Sequence, residues 1–252
     1  MMPYLPIFGF NIPAYTLLLF MAVWVGLWLA AREARRLGLD GDAVHNVGFY
    51  GVVATVLGAR LSYVLGNWPA YLNAPLSALS LTPTAFAWPQ GAIIGLVVAL
   101  VYRKHYELPV AGTLDAVAPG LALALVIIRF GAFLDGSGFG EPTTLPWGVY
   151  LWGEVRHPVQ LYEMAALFII LAVLWRQRRQ RPFRGYTFTL FVVLYAGSRL
   201  LFETFRADAP LMAGGVRLVQ PIALAVLLGA VWYLYHHRFT PTARPVEAGA
   251  DG

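Results

Sequence analysis

The sequence predicts an all-α membrane protein, a bundle of about seven transmembrane helices, and three observations carry that expectation. Of the 252 residues, 59% are hydrophobic and only 12% are charged, with a mean hydropathy of +0.63. That balance cannot dress a soluble domain in polar surface. Apolar runs close to the roughly 20 residues needed by a spanning helix recur along the chain. Lysine and arginine gather in every second connection between those runs, twelve on one side against three on the other.

The first run, near 12–31, follows the opening MMPYLPIFGFN. This opening has no basic n-region and no small-residue cleavage site follows the run, so the run is expected to stay as the first span. Runs near 47–66, 88–102, 113–134, 159–175, 186–205 and 215–235 complete seven, the third being short. They predict one membrane domain over 1–235 and a cytoplasmic tail over 236–252, expected to be disordered. The basic side carries Arg32, Arg35, Arg36, Arg103, Lys104, Arg176, Arg178, Arg179, Arg181, Arg184, Arg238 and Arg244; the other carries Arg156, Arg206 and Arg217. Positive charge stays inside, which puts the N-terminus outside and the C-terminus in the cytoplasm. Most of the net charge of +5 is this inner girdle, a signal for anionic lipid and topology that names the bilayer as partner and gives no reason to expect nucleic acid. Cysteine is absent. Disulfides, thiolate metal sites and a cysteine nucleophile of the protein's own are thereby excluded, so any thiol in its chemistry comes from a substrate.

Three arginines interrupt these runs: Arg60, Arg129 and Arg199. Each costs about 2.5–3.5 kcal/mol near a bilayer centre unless it finds a partner or water. In the predicted orientation all three lie past the midpoint of outward-running helices. The fifth helix starts at the same depth with Arg156-His157-Pro158-Val159-Gln160-Leu161-Tyr162-Glu163. On the sixth, Tyr195, Arg199 and Glu203 are spaced i, i+4, i+8 and form one polar stripe, which Arg206 continues. Glu203 and Glu163 cannot neutralise three arginines, and the resulting positive pocket suits the phosphate of a phospholipid head group. One cavity in the outer half of the membrane is expected, open sideways to lipid. Arg60, Arg129, Glu163, Tyr195, Arg199 and Glu203 should line it, with Gln90 and the glycine-rich 131–140 loop at its wall. Plainer readings stand beside this one: an Arg199–Glu203 structural ion pair, His157 as a hydrogen bonder at a helix start, and Asp115 favouring the N-terminus of its own helix. Tyr63, Tyr162 and Trp147 suit an interfacial belt. His236 and His237 lack acidic companions, and no metal site is predicted.

The chain resembles the prolipoprotein diacylglyceryl transferases, bacterial inner-membrane enzymes. The resemblance runs through Pro13-Ala14-Tyr15, Gly58-Ala59-Arg60-Leu61-Ser62-Tyr63, Asp115-Ala116-Val117-Ala118-Pro119-Gly120, the loop from Arg129 to Glu141-Pro142-Thr143, Leu145-Pro146-Trp147-Gly148, the string Arg156 to Glu163, and Tyr195, Arg199, Glu203 and Arg206. It implies transfer of a diacylglyceryl group from phosphatidylglycerol to the lipobox cysteine thiol of a prolipoprotein signal peptide, with no cofactor and release of glycerol phosphate. Arg129, Arg199, Tyr195 and Glu203 would be catalytic. Substrate would be bound by Arg60, Gln90, Gly91, Asp135, Arg156, His157, Gln160, Tyr162, Glu163 and Arg206. The chain departs from the family pattern His-Gly-Gly-Leu-Ile-Gly, having Gln90-Gly91-Ala92-Ile93-Ile94-Gly95, and from an asparagine and a glutamate of the glycine loop, where it has Ala132 and Ser137. Glu203, Asp135, His157 and water are the candidate proton acceptors. A second reading, favoured by Gln90 and Ala132, is a homologue that binds phospholipid or signal segments without transfer. A transporter would require an inverted repeat with helices broken at the midplane, and the sequence has none.

Overall fold

The computed structural model describes residues 4–7, 10–72, 75–79, 85–212 and 214–238. A hairpin of β1 (Tyr4–Ile7) and β2 (Phe10–Pro13) precedes helices α1 (Ala14–Arg36), α2 (Gly41–Gly66) and the short α3 (Trp68–Leu72). A 3-10 turn, Pro75–Leu79, follows, then α4 (Trp88–His105) and α5 (Val110–Asp135). A second hairpin, β3 (Val149–Leu151) and β4 (Glu154–Arg156), leads to α6 (Val159–Gln177) and α7 (Tyr186–Phe202). The 3-10 turn Glu203–Phe205 and helix α8 (Val219–Arg238) complete the described chain.

Six of these helices are long and apolar enough to cross a membrane: Ala14–Arg36, Gly41–Gly66, Val110–Asp135, Val159–Gln177, Tyr186–Phe205 and Val219–His237. The chain is a multi-pass membrane protein. The short third helix of the sequence forms as α4 over 18 residues. It is not among the six because Trp88-Pro89-Gln90 at its start and Tyr102-Arg103-Lys104-His105 at its end confine its apolar stretch to the middle. Phe20, Trp24 and Trp28 repeat at one-turn spacing along an exposed stripe of α1, which suits acyl chains and not water. Of the tail expected over 236–252, residues 236–238 continue α8 and the rest lies outside the described residues.

Helix ends outrun the apolar runs for local reasons. Helix α1 continues through Arg35 and Arg36 in its last turn, where cations favour the negative end of the macrodipole. It stops at Gly38, whose φ of 74° permits the backbone bond from Leu39 N to Ala34 O at 2.9 Å. Asp40 then caps α2, accepting hydrogen bonds from the amides of Asp42 at 2.8 Å and Ala43 at 3.0 Å.

The chain divides into two compact units, one of Met1–Leu29 with Leu114–Gly252 and the other of Ala30–Thr113. In the first, Ala118, Ala122 and Val126 of α5, Leu167, Ile170 and Leu174 of α6 and Phe191 of α7 form a buried apolar core. Asp115 does not serve its own helix, contrary to the sequence expectation. Its carboxylate accepts from Gly185 N at 2.8 Å and Phe188 N at 3.0 Å, so it caps α7, whose own N-cap residue Gly185 has no side chain. In the second unit α2 and α4 pack through small residues. A Cβ added at Gly91 would meet Thr55 O and lie 2.5 Å from Ala59 Cβ, and one added at Gly51 would lie 3.2 Å from Ala99 Cβ. With no hydrophobic drive between helices in lipid, such close backbone approach supplies the packing.

Candidate active site

The site is assembled in the first unit from the C-terminal ends of α5 and α7 and the N-terminal end of α6. Helix α5 carries Arg129 one and a half turns before its end, α6 carries Glu163 in its second turn, and α7 places Arg199 one turn from its C-terminus. The 3-10 turn then presents Glu203, and Arg206 follows directly. Glu163 is the hub. One of its oxygens, Oε1, accepts from Arg199; the other, Oε2, lies 2.9 Å from Arg129 Nε, an ion-pair distance without hydrogen-bond angles. Arg206 NH1 stands 3.8 Å from Glu163 Oε1. Glu203 pairs with the other arm of Arg199 at i, i+4.

Both carboxylates are almost fully buried, with side chains 4% and 1% exposed. Three guanidinium groups face three carboxylates, because Asp208 pairs with Arg206 at 2.8 Å, so the formal charges of the cluster balance. The arginines are not equivalent. Arg199 is held by a carboxylate on each arm. On Arg129 the terminal nitrogens NH1 and NH2 make no hydrogen bond among the described residues, and the side chain is 18% exposed. A planar pair of unengaged N–H donors beside two ion-paired carboxylates can receive an anion.

Around this cluster the glycine loop folds back as a narrow sheet. Glu141 N donates to Phe205 O at 2.8 Å and His157 N to Glu141 O at 3.0 Å, while Ala207 N reaches Phe139 O at 3.1 Å and Thr143 N reaches Val155 O at 2.8 Å. Gly140 has to be glycine here, since a Cβ would lie 2.5 Å from His157 O and 2.7 Å from Val159 Cγ2. Gln160, 2% exposed, ties α6 to the loop by donating to Ser137 O at 2.8 Å. Trp147 Nε1 donates to the Tyr162 hydroxyl at 2.8 Å, which in turn lies 3.3 Å from His157 Nδ1. Arg156 pairs with Glu154 at 2.6 Å, donates to Gly140 O at 3.3 Å, and covers the Phe139 ring. A small recess beside these groups is lined by Phe133, Val149, Leu151, Arg156, His157, Pro158 and Gln160. Asp135 is exposed at the end of α5.

The structure therefore brings together Arg129, Glu163, Arg199, Glu203 and Arg206. The Tyr195 ring instead stacks on Phe191 at 5.5 Å against the apolar core, and its hydroxyl has no hydrogen-bond partner among the described residues. Arg60, Gln90 and Gly91 belong to the other unit. There Arg60 donates to three backbone carbonyls, Ala85 at 2.6 Å, Ser77 at 2.8 Å and Ala78 at 2.9 Å, among the rings of Tyr63, Tyr71 and Phe86. Gly91 is buried against α2, and Gln90 is exposed in the first turn of α4. Sequence reasoning did not single out the Arg217–Glu141 ion pair at 2.8 Å. The available signal was opposite charges in the connections that follow α5 and α7, among them Glu141 and Arg217.

Residues 3–236 match the family model described as prolipoprotein diacylglyceryl transferase. The chain is 31% identical to the phosphatidylglycerol–prolipoprotein diacylglyceryl transferase of Clostridioides difficile (strain 630), over 89% of this chain and 90% of that protein. It is 33% identical to the protein of the same name from Thermosynechococcus vestitus, over 88% and 87% of the two chains. With that of Synechococcus elongatus it shares 32% identity over 93% and 88%.

Proposed function

The chain belongs to the prolipoprotein diacylglyceryl transferase family, and from that premise we propose that it transfers the diacylglyceryl group of phosphatidylglycerol to the cysteine thiol of a prolipoprotein lipobox. The lipid phosphate docks on the open fork of Arg129. The substrate sulfur attacks the glyceryl carbon that bears the phosphate ester; an S–C bond forms, the C–O bond breaks, and glycerol phosphate leaves while the thiol proton passes to solvent. Charge grows on the leaving phosphate oxygen, and preorganised guanidinium groups stabilise it in a site from which water is largely excluded. A thiol with a pKa near 8.5 is already a few per cent thiolate at neutral pH, and a guanidinium group beside it raises that fraction.

Arg199 is the frame of this site, clamped by Glu163 and Glu203 so that Arg129 and Arg206 keep fixed positions around them. Tyr195, Arg156, His157, Gln160, Tyr162 and Asp135 shape the entrance for the lipid and the signal peptide. The protein works as a single membrane domain in the bacterial inner membrane, with seven spans counting α4, the N-terminus outside and the C-terminus in the cytoplasm. The unpaired terminal nitrogens of Arg129 beside the Arg199–Glu163 pair carry this reading. Its test is a reconstituted reaction of phosphatidylglycerol vesicles with a lipobox peptide, followed by mass spectrometry. The diacylglyceryl mass should appear on the peptide cysteine; lipid binding without that mass shift refutes transfer.

A further inference from the structure

The segment that carries Glu203 and Arg206 has little of its own to hold it. Helix α7 ends at Phe202, and the 3-10 turn Glu203–Phe205 is a single turn with no side-chain cap. Yet Glu203 must meet one arm of Arg199 and Arg206 must stand beside Glu163. What fixes this turn from outside is Arg217, a residue from the far end of the connection to α8. One arm of Arg217, NH1, donates to Thr204 O; the other, NH2, donates to Glu141 Oε1 at 2.8 Å. Glu141 in turn donates its amide to Phe205 O at 2.8 Å and accepts from His157 N at 3.0 Å. The guanidinium fork thus joins the residue after Glu203 to the strand of the glycine loop that runs beside it. Arg217 is itself seated by the Leu211–Arg217 bridge, with Met212 N on Val216 O at 2.8 Å and Leu218 N on Pro210 O at 2.9 Å. Its side chain is 18% exposed.

We propose that Arg217 is a positioning residue for the transfer reaction: through Thr204 and Glu141 it locks the Glu203–Arg206 turn and so sets the geometry of the Arg199–Glu163–Arg129 cluster. It touches neither substrate nor the reacting atoms. The inference rests on the transferase reading for its kinetic consequence, but its structural content stands apart from that reading. A planar fork is required because the two acceptors, a peptide carbonyl and a carboxylate, must be bound at once, and lysine's single ammonium is poorly matched to that task.

The experiment compares the full-length protein, in nanodiscs containing phosphatidylglycerol, with R217A, R217K and the exchange R217E/E141R. Two readouts are taken. Kinetics should show kcat falling about tenfold in R217A, with KM for phosphatidylglycerol nearly unchanged, because small misplacements of a catalytic group are felt in the transition state; R217K should be intermediate, and R217E/E141R, which gives Thr204 O no donor from position 217, should stay low. Hydrogen exchange should show the amides of Glu141 and Ala207 losing protection in R217A, while helix-core amides stay protected. Unchanged protection at both amides overturns the lock whether or not the protein turns over. Lost protection with unchanged kcat in an active protein overturns the positioning role. An inactive wild-type protein refutes the transferase reading, and with it the kinetic role of Arg217, while the exchange data still decide whether the lock exists.

Discussion

Replacing Glu163 by glutamine separates binding from catalysis more sharply than any arginine substitution. The side chain keeps its volume, but the charge shared by Arg129, Arg199 and Arg206 disappears. The cluster then goes from formal balance to one surplus positive charge. A phosphate seated on the free nitrogens of Arg129 would lie roughly 6 Å from the Glu163 carboxylate, where two unit charges at an effective dielectric of about 20 repel by about 3 kcal/mol. Removing that repulsion, discounted for local relaxation, should tighten ground-state binding of phosphatidylglycerol at least about tenfold. Stability and turnover should move the other way. Breaking a buried pair by deleting one partner costs on the order of 3–5 kcal/mol, and here glutamine retains one acceptor for Arg199, so a loss near the lower end is expected. With Arg129 no longer anchored, kcat should fall by a larger factor than KM.

The assay has two parts on the same purified E163Q preparation: thermal unfolding in detergent, and lipid binding and transfer in vesicles of graded phosphatidylglycerol content. A folded variant that binds phosphatidylglycerol no more tightly than wild type would refute the electrostatic reasoning. Phosphate in that case does not sit within reach of the Glu163 field, and the fork on Arg129 is not the head-group site.

R129A should abolish transfer while leaving a folded protein, and R129K should restore only part of it because the bidentate fork is lost; turnover per folded molecule is the measurement. Glu203→Gln should reduce kcat with less effect on lipid affinity than E163Q, since Glu203 faces Arg199 alone; comparing KM and kcat for the pair checks this. G91A should lower the unfolding temperature, because its new methyl meets Ala59 and Thr55 O on α2, an overpacking worth about 1–3 kcal/mol. Q90H should raise the rate near neutral pH and add an imidazole-like pH dependence if an absent base limits the reaction; a flat profile shows that proton removal is not limiting.

Much of the helical layout was legible because apolar runs of the right length have few alternatives in a chain this poor in charge. Helix termini were less so. Asp40 and Gly38 mark the α1–α2 turn by local chemistry, which a hydropathy window averages away. Asp115 was misread for a different reason: a carboxylate near a helix start suggests that its own helix benefits, and only the tertiary fold reveals that Gly185 of α7 lacks a cap and takes this one. The stripe of Tyr195, Arg199 and Glu203 kept its spacing, but spacing does not say which neighbour each side chain meets. The aromatic ring went to Phe191, while Arg199 met Glu163 of α6 as well as Glu203 of its own stripe.

The three intramembrane arginines show what the sequence withheld and why. From composition each is the same costly charge at the same depth, and each therefore appears equally available to a ligand. Burial is relieved in three different ways. Arg60 spends its donors on the carbonyls of Ser77, Ala78 and Ala85, a solution that needs only an irregular backbone segment nearby and leaves no trace in residue identity. Arg199 takes two carboxylates, one visible at i+4 and one brought by another helix. Arg129 receives half of a carboxylate already claimed and keeps its outer nitrogens open. Availability for an anion is thus a remainder after internal partners are assigned, and those partners include backbone oxygens that every residue carries. For this reason a positive pocket could be expected from counting charges, while the identity of its one unsatisfied fork required the fold.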